Sequence, residues 1–105
     1  GKGDPEGKVS FSLSPFENSL PAMRRGNSEQ VWEEDQTVLQ IKRHVVEDIW
    51  QGGREDHSML CLRTPSGLLL GNDHSLRYVR SVLWPPSQGK LNILYSKQLP
   101  GVGLL

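Results

Sequence analysis

Two Asp-His-Ser triplets, Asp56-His57-Ser58 and Asp73-His74-Ser75, are the first residues whose types invite a chemical reading. Carboxylate, imidazole and hydroxyl are the parts of a nucleophilic relay, and the first two are metal ligands. A relay needs its base aimed at the hydroxyl and an oxyanion site nearby, and zinc needs three or four groups at short paired spacing. Neither triplet specifies these, and both read as turns and helix caps. His44 falls inside a helical pattern and reads as a surface residue. Cys61 has no basic neighbour before Arg63 to activate its thiol, so it is expected to be buried and inert in an apolar strand. Gly1-Lys2-Gly3 and Gly101-Val102-Gly103 lack the strand-turn-helix context of a phosphate loop. No catalytic residue, metal ligand or cofactor is expected, and the chain reads as a binding protein, not an enzyme.

What remains for binding is charge and aromatic surface. Arg24, Arg25, Lys42 and Arg43 form one partner-binding patch if the segment carrying the first pair folds toward the helix carrying the second. In that helix register Lys42 can also lie along the core with only its ammonium in water. Trp32, Trp50 and Trp84 are candidate hot-spot or core residues, and Trp84, before Pro85-Pro86, is the one expected to be exposed. The 105 residues carry 12 basic and 12 acidic side chains, so no net field draws the chain to nucleic acid or an anionic membrane. No apolar run approaches the roughly 20 residues that span a bilayer. A lone cysteine and no secretory leader argue for a reducing, cytoplasmic setting and for a monomer.

These residues need a scaffold, and the length allows one domain with one core. Residues 1–7 read as a leader, 8–99 as the domain and 100–105 as a tail. Val9, Phe11 and Leu13 alternate with serines in a strand stopped by Pro15, and Glu17 to Ser28 is a long connection. Glu29 to Glu34 is a second strand, where adjacent Val31 and Trp32 suggest a bulge. Val38, Ile41, Val45 and Ile49 recur at helical spacing, which predicts one long helix from Thr37 to Gln51. Asp35 or Thr37 would cap it and Gly52-Gly53 would end it. Met59 to Leu62 is apolar on both faces, as a doubly buried third strand would be. Leu68 to Leu70 is a short fourth strand between turns, and Asp73 is placed to cap a helical turn through Ser75 to Val79. Leu91, Ile93 and Tyr95 mark a last strand.

The order is ββαββαβ, an α+β pattern with a mixed sheet of four to five strands on one main helix. Thr37-Val38-Leu39-Gln40-Ile41-Lys42-Arg43-His44-Val45 resembles the capped start of the central helix in ubiquitin-like β-grasp domains. Gly67, Leu70, Leu76 and Tyr78 resemble the glycine turn, short strand and leucine-tyrosine segment that follow there, with one residue here between leucine and tyrosine. Asp56 to Leu62, Asp73 to Leu83 and Lys90 to Lys97 are similar to the second half of Ras-association domains. The resemblance implies a non-catalytic interaction module of a larger signalling protein. Such domains pair their second strand with the edge strand of a Ras- or Rap-family small GTPase, helped by basic residues. The alternative is a ubiquitin-like scaffold for other protein contacts. Glu29, Glu33, Glu34 and Asp35 make the second strand acidic, which opposes an acidic GTPase switch region. The end Gly103-Leu104-Leu105 lacks the Gly-Gly of conjugatable modifiers, so transfer chemistry is not expected.

Overall fold

Alternation in the first strand is realised as a ladder. In the computed structural model, which describes residues 7–18, 20–24, 26–50, 57–84 and 89–97, β1 runs Lys8–Pro15 with Val9, Phe11 and Leu13 buried. It pairs antiparallel with β2 (Glu29–Glu33) and parallel with β4 (Leu91–Lys97), which pairs antiparallel with β3 (Leu60–Arg63). The order β2-β1-β4-β3 makes a mixed four-stranded sheet. Two helices complete an α+β architecture: α1 (Val38–Ile49), and the short α2 (Leu76–Tyr78) that widens into a π turn over Val79–Leu83.

Apolar spacing decides how α1 sits. Val38, Ile41 and Val45 are fully buried against the sheet, and Ile49 packs at the margin. The core they share with Phe11, Leu60, Leu62, Leu91, Ile93 and Tyr95 is one cluster. At the helix start the Gln40 side chain accepts the Thr37 backbone N–H at 2.9 Å, the returning half of a capping box, so Thr37 and not Asp35 is the cap. The Gly52-Gly53 stop, the leader before Gly7 and the tail lie outside the described residues.

Several expectations change. Only one face of β3 is covered: Leu60 and Leu62 face α1, while Cys61, one residue out of phase, is half-buried on the opposite side, where no second layer packs. The expected fourth strand reduces to a single bridge between Leu69 and Arg63, because Leu68 and Leu69 point to solvent and only Leu70 enters the core. Ser75, not Asp73, caps α2, its Oγ accepting the Tyr78 N–H at 3.1 Å. Trp84 is buried rather than exposed, its indole N–H donating to the Gly89 carbonyl at 2.9 Å. No bulge interrupts β2. Val31 and Trp32 take opposite faces in an unbroken register with Ser10 and Val9.

Candidate protein-interaction edge

The register of β2 determines which of its backbone groups are free. Leu13 N–H donates to the Ser28 carbonyl at 2.8 Å, and Glu34 N–H donates to the Gly7 carbonyl at 3.0 Å. These bonds flank the ladder at both ends and fix its phase. Ser28, Gln30, Trp32 and Glu34 point their backbone groups to β1, whereas those of Glu29, Val31 and Glu33 point away from it. Of this outward set the Glu33 carbonyl is used in a turn, accepting the Gln36 N–H at 3.1 Å. The opposite border of the sheet is closed. Along β3, Thr64 N–H reaches the Leu68 carbonyl and Leu70 N–H the Leu62 carbonyl, each at 2.9 Å. Among the described residues β2 is therefore the open border.

Side chains follow the same phase. Trp32 faces α1, meeting Phe11 edge-on at 5.7 Å between centroids and His44 at 5.6 Å. His44 is thus half-buried, not a surface residue, and its Nε2 has no hydrogen-bond partner. Glu29, Val31 and Glu33 face the other side, and Val31 is 53% exposed. A groove of about 370 Å³, lined by Lys8, Val31, Trp32, Glu33 and Gln36, opens beside them.

The strand is held from several directions. Arg77 Nε donates to Glu34 Oε1 at 2.8 Å, the Arg77 N–H donates to the Glu34 carbonyl, and Leu76 N–H donates to the Gln36 carbonyl. At the other end the Asp48 carboxylate, buried in the last turn of α1, accepts the Arg24 backbone N–H at 2.6 Å and the Asn27 side-chain amide. Tyr95 O–H donates to the Pro21 carbonyl at 2.7 Å. Burial pushes its phenol up to about 12, with nearby Asp48 adding to the effect and a backbone hydrogen bond at Met23 opposing it.

The expected basic patch comes apart. Lys42 is buried, and desolvation lowers its pKa, an effect that Cys61 partly opposes. Its ammonium is drawn into the core because its stem lies on the same stripe as Ile41 and Val45. Arg24 and Arg43 are exposed, and Arg25 lies outside the described residues. Arg24 is tied through its backbone to Asp48, which follows Arg43 by five helical positions, a rotation of roughly 140° about the axis.

The acidity of the second strand is also less free than its sequence suggests, since Glu33 pairs with Lys8 at 3.8 Å, Glu34 with Arg77, and Glu29 with Lys90. No protein-family model and no curated protein sequence matches the chain. The second Asp-His-Ser triplet is accounted for locally: His74 Nδ1 accepts the Gly71 N–H at 3.1 Å, its ring packs on Tyr78 at 4.7 Å, and Ser75 caps α2. Asp56 of the first triplet lies outside the described residues. Among the described residues no three His, Cys, Asp or Glu side chains gather as a metal site, and no helix is long and apolar enough to cross a membrane.

Sequence reasoning missed Asp48 and Val31. Asp48 carries no sequence signal beyond a carboxylate on an otherwise apolar helical turn. Val31 does carry one, because in strict alternation a buried Trp32 requires its neighbour to face outward.

Proposed function

We propose that this chain is a ubiquitin-like β-grasp domain of Ras-association type that acts as a non-catalytic interaction module, taking up an extended segment of another protein as a fifth strand beside β2. The observation that carries this reading is the asymmetry of the sheet borders: β3 is covered by Leu68–Leu70, whereas the backbone groups of Val31 have no partner. The mixed sheet with parallel β1 and β4 at its centre, crossed by one main helix, fits the β-grasp arrangement.

The narrower form, contact with a Ras- or Rap-family GTPase, uses the same strand with Arg24 and Arg43 as its exposed cations. With Lys42 in the core and Glu29, Glu33 and Asp35 along the strand, an acidic switch region is a poor match, so a scaffold for other protein segments is the better-supported branch.

Val31→Pro tests the reading. It deletes an N–H that faces away from β1, a position where an edge strand tolerates proline. Extended peptides selected from a displayed library on the unaltered domain should lose binding to this variant while its urea midpoint stays close to that of the parent. Selected peptides that bind the variant undiminished would remove β2 from the account. Titration with GTP-loaded and GDP-loaded Ras and Rap proteins decides the GTPase branch, which needs nucleotide-dependent binding.

A further inference from the structure

We infer that the strand taken up beside β2 carries a basic residue on each side of an apolar one, in the pattern basic-x-apolar-x-basic. The inference rests on the reading that β2 accepts a strand, and it adds the chemistry of the partner.

Residues directly opposite one another on neighbouring strands share a face, so an added strand sets three of its side chains against Glu29, Val31 and Glu33. The middle position meets Val31, whose exposed isopropyl group favours an apolar neighbour. The outer positions meet two carboxylates whose side chains are 62% and 56% exposed. Lys90 and Lys8 already touch these carboxylates. Each carboxylate has further lone pairs to offer, and an exposed pair of this kind is too weak to exclude a second cation. Asp35, exposed just past the strand, adds a third negative charge at the same end as Glu33. An acidic strand would set like charges opposite each other at both outer positions.

The same geometry excludes a second copy of this chain as the occupant. Antiparallel pairing of two β2 strands about Val31 would set Glu29 of each against Glu33 of the other, two like-charge contacts with no compensating gain. The acids thus protect the border from self-association while leaving it open to a basic strand. Because the chain has no net charge, the preference is local and falls with salt.

The test uses the whole chain and three short blocked peptides: Thr-Lys-Thr-Val-Thr-Lys-Thr and its versions with both lysines replaced by serine or by glutamate. Binding is followed by amide chemical shifts of Glu29 to Glu33 at low salt and at about 0.15 M. The lysine peptide should bind about tenfold tighter than the glutamate peptide at low salt, with the gap narrowing at high salt. Glu29→Gln with Glu33→Gln, two exposed substitutions that leave the backbone border intact, should bring the lysine peptide down to the affinity of the serine peptide. Equal, Val31-dependent binding of all three peptides would overturn the basic preference and keep strand uptake. Lysine-peptide binding that survives Val31→Pro would show adsorption to surface acids and overturn the inference. Failure of every peptide to shift β2 amides would overturn strand uptake itself.

Discussion

Asp48→Ala measures how firmly the connection before β2 is held. The carboxylate accepts two hydrogen bonds, from the Arg24 backbone and the Asn27 side chain, and it is almost fully buried. Each bond to a charged acceptor contributes about 1.5 kcal/mol at the lower end of the usual range, giving about 3 kcal/mol. Against this stands the position of the carboxylate, in the last turn of α1 where the helix dipole is negative, a cost of about 0.3–1 kcal/mol that alanine relieves. The net expected loss is about 2 kcal/mol, which at a urea slope of about 1 kcal/mol/M lowers the midpoint by about 2 M. Asp48→Asn keeps an acceptor without the charge and should lose about half as much. Urea unfolding followed by tryptophan fluorescence reads both. A loss under about 0.5 kcal/mol for Asp48→Ala would show that the two hydrogen bonds do not anchor the connection, and the argument that β2 is positioned from this end would fail.

Two further outcomes follow from the core. Ile41→Ala, at a position with no exposed surface, should cost about 2–5 kcal/mol in the same assay, and a negligible loss would place that helical face in water. Tyr95 has its phenol pushed up to about 12 against an unfolded value near 10, so its contribution is fully present below pH 10 and is lost as pH rises through 12, by at most about 3 kcal/mol. Tyr95→Phe should flatten that alkaline decline and cost about 1 kcal/mol at neutral pH for the lost bond to Pro21. An unchanged alkaline limb in the variant would assign the decline to another group.

The parts of the fold that were legible in sequence are those where side-chain period alone decides. The alternation of Val9, Phe11 and Leu13 and the helical stripe of Val38, Ile41 and Val45 needed no tertiary information. Where an element's partner sets its burial, the pattern misled. Leu60-Cys61-Leu62 is uniformly apolar, yet only its outer members meet α1, and the half-exposure of Cys61 follows from the lack of a second layer. Trp84 looked exposed because prolines follow it, but its indole N–H finds the Gly89 carbonyl, a contact five residues along the chain that no local pattern announces. The candidate site was half visible. The acids of β2 were read correctly as acids, while their pairing with Lys8, Arg77 and Lys90 depends on which strands and helices lie beside them. Lys42 shows the limit most directly, since a cation on an apolar stripe fits a patch as well as a buried stem until the packing is known.

Hydrogen exchange at single-amide resolution along β2 tests the open border most directly. In the free domain the amides of Gln30, Trp32 and Glu34, which face β1, should exchange slowly, and those of Val31 and Glu33 should exchange fast. Addition of the lysine peptide should slow Val31 and Glu33 specifically. Equal protection of both sets in the free domain would mean that the outer border of β2 is already occupied, and that result would contradict strand uptake at this edge.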